Sequence, residues 1–155
     1  LGKKDDLESF MFGTSRAQLT RISPILSQMQ DRRCFYCHGK LHSQTEVDHF
    51  IPWSRYPRDT AHNFVVAHRG CNNDKRDMLA AKRHLERWLA RNDRSGQELG
   101  EQMQEQGFVS NIGSTIEVAK WAYGEAYRMQ GFAWIETRRQ TEMVDRQYVA
   151  LFGAG

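Results

Sequence analysis

Between positions 34 and 75 the sequence concentrates the side chains that bind metals and move protons. Cys34-Phe35-Tyr36-Cys37 sets two thiols on one tight turn, a spacing that half-encloses a tetrahedral zinc ion. His68-Arg69-Gly70-Cys71 repeats the spacing with an imidazole in the first place, and Gly70 is expected to take the backbone angles that such a turn demands. Cys34, Cys37, His68 and Cys71 would then close a structural zinc site and use all three cysteines of the chain. The plainer alternative, three small buried thiols, suits a lone CxxC better than a matched pair of half-sites. His38 and His42 lie nearer the first pair but lack the paired spacing. Between the half-sites, Glu46-Val47-Asp48-His49 puts a carboxylate beside an imidazole at the end of an apolar run, with Pro52 soon after. Beyond the last thiol the chain continues Asn72-Asn73-Asp74-Lys75.

The pattern C-x-x-C, D-H, N, then C-N-x-x-K resembles the HNH endonuclease family, and the string from DHFIPWSRYP to CNNDK reads like its bacterial restriction or defence members. His68 stands where many zinc-bearing members have a cysteine, and Asn72 stands at the last position of the family's triad. The resemblance implies a ββα-metal finger, in which one divalent cation sits between a two-stranded hairpin and the following helix. Asp48 and Asn72 would hold that cation, Mg²⁺ or Mn²⁺, through hard oxygen atoms. His49, whose ordinary pKa is about 6.5, would take the proton of the attacking water. Asn63 would orient the imidazole loop, and Lys75 would meet a phosphate beside the helix. Arg55, Arg58, Arg69 and Arg76 are candidates for further contacts to the nucleic-acid backbone. Adjacent strand residues point to opposite faces, so Asp48 and His49 can share one site only where the strand ends or twists. The implied activity is metal-dependent hydrolysis of DNA phosphodiesters, in restriction or defence against foreign DNA. The rival reading is a zinc-knuckle module that binds nucleic acid without cutting it.

Holding these residues takes a scaffold: the apolar spacing predicts several α-helices and two strand-like runs, and with the small ββα-metal centre that the resemblance implies, packed among those helices, the expected fold class is α+β. Helices are expected over 4–12 and 15–30, the second bent or restarted at Ser23-Pro24. Strand-like runs cover 45–51 and 63–67. After Cys71, Met78, Ala81, Leu85, Trp88 and Leu89 form one apolar face, while Arg83, Arg87 and Arg91 step by four along another. A turn is expected at 92–96, followed by helices at 96–106, 113–130 and 137–152. Trp88, Trp121, Tyr123, Tyr127 and Trp134 fall at helical spacing and are assigned to the core. His62 and His84 are given no functional role.

The 155 residues are read as one domain, with helices over 1–30, the metal core and its following helix over 31–94, and further helices over 95–155. The net charge of +3 is unevenly spread, with thirteen basic and eight acidic residues over 31–94 against five and eight over 95–155. That middle excess suits a polyanionic partner such as DNA. No apolar run approaches the roughly 20 residues needed to cross a bilayer. The thiol spacing suits a reducing compartment, so a cytoplasmic protein is expected. Leu1 is not a start methionine, and a longer parent chain is expected, whose further domain or partner would supply specificity. One metal centre breaks one strand at a time, so a homo-oligomer is one route to duplex cleavage.

Overall fold

The computed structural model describes residues 15–153 and sets a two-stranded antiparallel sheet between two apolar layers. The helix expected over 4–12 lies outside the described residues. Strand β1 (Thr45–His49) pairs with β2 (Phe64–His68), from Thr45 opposite His68 to His49 opposite Phe64. Side chains alternate along a strand. Val65 and Ala67 therefore enter one layer with Phe35, Phe50 and Trp88, while Phe64 and Val66 enter the other with Ile22, Leu26 and Leu99. Both faces being covered, β2 reads Phe-Val-Val-Ala with no polar alternation. The same rule divides β1. Glu46 and Asp48 stand opposite Ala67 and Val65, and His49 stands opposite Phe64, so the acid and the imidazole begin on opposite faces.

Helix α1 (Arg16–Met29) opens with a reciprocal cap, Gln18 N donating to Ser15 Oγ and Ser15 N to Gln18 Oε1. It runs through Pro24 as one element. The proline removes a single intrahelical bond, the freed carbonyl belongs to exposed Thr20, and fully buried Ile22 and Leu26 anchor the helix on either side. Helix α2 (Arg69–Lys75) follows β2 without a break and packs on β1.

Helix α3 (Lys82–Glu105) continues through 92–96, where composition suggests a turn. Trp88 Nε1 donates to His62 O at 2.9 Å, and Arg91 donates to His62 O at 2.8 Å and to Phe64 O at 2.7 Å. His62 Nε2 in turn donates to Gly96 O at 2.7 Å. Gly96 and Gly100 are in the helix for close approach: an added Cβ would lie 2.8 Å from Ile112 at the first and 2.5 Å from Ser110 Oγ at the second. The arginine stripe is consequently graded, with Arg83 exposed, Arg87 half-buried and Arg91 inside. Burial pulls Arg91 down to about 10, which leaves it charged at neutral pH.

Helix α4 (Ile112–Arg128), capped by Asn111, is followed by a hairpin where a helix over 137–152 is expected. Strands β3 (Phe132–Glu136) and β4 (Gln140–Met143) lead into a short α5 (Arg146–Ala150). The reason is tertiary. Trp134 N donates to Leu79 O and Ala81 N to Trp134 O, at 2.8 and 2.7 Å, so the segment just before α3 fixes β3 as a strand, and β3 in turn pairs with Gln140–Met143, which a helix over 137–152 would forfeit. Val144 and Tyr148 of the expected apolar face are still buried. Trp88, Tyr123 and Trp134 are core residues, whereas Trp121 is 56% exposed and Tyr127 lies at the surface.

Arg91→Met should destabilise the fold by about 3 kcal/mol, because two buried carbonyls lose their charged donor; urea unfolding checks this. His84 Nε2 donates to Ile135 O at 2.6 Å and its Nδ1 accepts from Arg87, which commits both nitrogens of the neutral ring. Burial first, then the Arg87 and Arg83 charges, lower its pKa to about 4 despite the bond to Ile135. The unfolded ring, at about 6.5, takes its proton first on acidification. Its contribution is therefore full above about pH 6.5 and is lost as pH falls toward 4, by up to about 3 kcal/mol. Urea midpoints against pH should be flatter over that window in His84→Gln.

Candidate functional site

The turn carrying Cys34 and Cys37 is closed by Cys34 N donating to Gly39 O at 2.8 Å and His38 N to Cys34 O at 3.0 Å. The left-handed residue is His38, with φ 66°, rather than Gly70, which lies within α2. Gly39 is where close approach matters: an added Cβ would meet the His68 ring at 3.2 Å and Cys37 Sγ at 3.4 Å. His68 ends β2, and Cys71 is in the first turn of α2. Ligand atoms of Cys34, Cys37, His68 and Cys71 all lie within 4.8 Å of one another.

The donor chemistry fits zinc. His68 Nε2 donates to Lys40 O at 2.7 Å, which fixes the tautomer, and its Nδ1 faces Cys37 Sγ at 3.2 Å. His68 N and Gly39 N each point at a sulfur, 3.4 Å away. Hydrogen bonds, chiefly from Cys71, pull Cys34 down to about 4, while Cys71 is pushed up by that same bond, by burial and by the neighbouring thiolates. Without a cation the cluster opposes full ionisation; a dication at its centre would remove the conflict. Zinc analysis of the purified chain should find one ion per molecule. Cys34→Ser should lose both the ion and a cooperative thermal transition.

On the α2 side of β1, Asp48 Oδ2 accepts from Tyr36 Oη at 2.5 Å and from Lys75 Nζ at 3.1 Å. Lys75 is fully buried and also reaches His49 O at 3.4 Å, so it lies inside the molecule rather than on a phosphate-facing surface. Burial, then the charge of Asp48, raises the pKa of Tyr36 far above its usual value and keeps it a donor. Two residues back on the same face, Glu46 Oε2 accepts from Asn72 Nδ2 at 2.9 Å and Oε1 from Arg69 Nε at 3.0 Å. Asp48 and Asn72 thus sit on facing elements with different protein partners.

The fit of a divalent cation turns on what those partners leave free. Asp48 uses only Oδ2, and Asn72 commits its Nδ2, so each keeps a hard oxygen, Oδ1, clear of the bonds described. Both suit Mg²⁺ or Mn²⁺. The two carboxylates already have cationic partners, Lys75 and Arg69. A cation there would consequently bind less tightly than in an all-carboxylate cage and would share its shell with water and substrate.

On the opposite face, His49 ends β1 against Phe64 and Trp53, with ring centroids 5.0 and 5.6 Å away. Its Nε2 lies 2.6 Å from Asp59 Oδ1, and the two side chains are 20% and 15% exposed. An ionised carboxylate only accepts, so in the neutral form of the ring Nε2 carries the hydrogen and Nδ1 the lone pair. Asn63 is fully buried; its Oδ1 accepts from Ile51 N at 2.8 Å and its Nδ2 donates to Ile51 O at 2.9 Å. Both bonds grip the backbone two residues beyond His49. Arg55, Arg58, Arg69 and Arg76 are exposed.

Sequence reasoning missed Glu46 and Asp59. Glu46 carries a signal, since it stands two residues before Asp48 on the same strand face. Asp59 carries none, because it arrives through an irregular loop. No curated protein matches the chain. Residues 34–81, the stretch that carries the Cys/His cluster, both strands of the first hairpin and α2, match the family model described as HNH endonuclease, and the chain accordingly carries an HNH endonuclease motif.

Proposed function

We propose that the chain hydrolyses DNA phosphodiester bonds, with His49 as general base. The observation that carries the reading is the His49–Asp59 contact of 2.6 Å at the open end of β1, within a stretch that matches the HNH endonuclease model. Asp59 holds the ring by Nε2 and leaves Nδ1 as the atom that accepts a proton from water. The water oxygen bonds to phosphorus as the P–O3′ bond breaks, giving a 5′-phosphate and a 3′-hydroxyl that takes its proton from solvent. A divalent cation on Asp48 and Asn72 would neutralise charge on the departing oxygen. Asn63 fixes the backbone beyond His49, so the ring keeps its orientation through the reaction. Backbone-directed contacts imply low intrinsic sequence selectivity, which suits restriction or defence against foreign DNA.

One observation favours the rival reading of a module that binds without cutting: Lys75 already occupies the charge of Asp48. The two readings part in a plasmid assay run with Mg²⁺ or Mn²⁺ and with the cation omitted, so that no chelator strips the knuckle. Cation-dependent nicking or linearisation is expected. It should fall by about 10²–10⁴-fold in His49→Ala and by roughly tenfold in Asp59→Asn. Supercoiled plasmid left intact by a protein that still shifts it in a gel would replace the nuclease with the binding module.

A further inference from the structure

The β3–β4 turn carries arginines where a turn prefers small residues. Arg138 and Arg139 have φ 66° and 50°, and Arg76, just past α2, has φ 54° with ψ −130°. Glycine and asparagine reach such angles cheaply, whereas a bulky side chain pays for its Cβ. Tight hairpins commonly use Asn-Gly for this reason. All three arginines are exposed, and among the described residues none enters an ion pair.

The tip is tethered. Asp74 Oδ2 accepts from Trp134 Nε1 at 2.8 Å and from Arg139 N at 2.9 Å, which docks the turn on α2. Arg76 stands two residues beyond Asp74, so the contact that docks Arg139 on α2 also brings the turn to the end of the helix from which Arg76 projects. The residue between Asp74 and Arg76, Lys75, reaches His49 O at 3.4 Å. An arginine-bearing ribbon is thus fixed to the helix that packs against the candidate catalytic strand.

We propose that Arg138, Arg139 and Arg76 form a phosphate-gripping tip that holds duplex DNA beside the site of cleavage. The inference rests on the reading of the chain as a DNA-acting nuclease and names the element that grips the duplex. Guanidinium forks bind phosphate in two-pronged fashion, and a two-stranded ribbon is narrow enough to lie in a groove. The unfavourable backbone then has a reason: it keeps two exposed guanidinium groups at the apex of the turn.

The full chain can be tested by replacing the tip with residues its backbone prefers. Arg138→Asn combined with Arg139→Gly should raise the melting temperature while weakening binding of a short fluorescent duplex, without divalent cation, by roughly tenfold. The slope of log affinity against log salt should fall by about two, since each phosphate contact contributes about 0.9. Arg138→Lys combined with Arg139→Lys keeps the charge and should keep the slope, and Arg76→Gly should reduce it by about one. Unchanged affinity and slope in the Asn-Gly variant would overturn the proposal, as would a fall in slope matched in the Lys-Lys variant. The readout is binding without cutting, so plasmid left intact by the wild-type chain would sink the nuclease reading, while the affinity and salt slope of the tip variants decide this proposal separately.

Discussion

A sheet of two strands does not hold its shape alone; this one does because β2 is buried on both faces. That constraint distributes everything attached to β1. Val47 and His49 are drawn toward the layer of Phe64 and Val66, and Glu46 and Asp48 toward α2. Two adjacent residues that could do joint chemistry are held apart by the sheet between them. They can approach one substrate only past the strand's end, where Phe50 N donates to Asn63 O at 2.7 Å and the Asn63 amide clasps Ile51. The buried asparagine therefore fixes the one place where the two faces meet.

Charge is handled on the same principle of local closure. An unpaired ion under a small sheet would cost several kcal/mol, and each buried charge here has a partner. Asp48 has Lys75 and the Tyr36 hydroxyl, while Arg91 has two carbonyls and Asn92. Lys75 serves the interior, donating to Asp48 Oδ2 and to the carbonyl of His49. It thereby links the two faces of β1 from beneath. Positive charge for a polyanion must come from elsewhere on the surface, where the arginines are exposed.

What the sequence made legible is what short-range spacing encodes. CxxC and HxxC converge because each pair sits on one turn, and β2 is recognisable as an apolar run between polar loops. The α+β class follows from those signals. Local composition misled where distant partners decide. Asn92, Ser95 and Gly96 look like a turn, yet His62 from 30 or more residues away needs that stretch helical and its glycine bare. Met143 to Phe152 has helical spacing, yet the backbone of Leu79 and Ala81 claims Trp134 and turns the preceding segment into a strand. Asp59 could not be found at all, because nothing in a loop's sequence says which imidazole it will meet.

The same α3 that defeated the local reading sets the distance between the two halves of the site. At its N-terminal half, Arg87 donates to the carbonyl of Phe35, inside the CxxC turn, and to His84. One turn on, Trp88, Arg91 and Asn92 take the carbonyl of His62, immediately before Asn63. A single rigid helix, rising about 1.5 Å per residue, thus registers the Cys/His cluster against the loop that orients His49. Neither end can shift along the sheet without breaking bonds at the other. The result is a fixed separation between the Cys/His cluster and the His49 imidazole, set by one helix in place of a second layer of sheet.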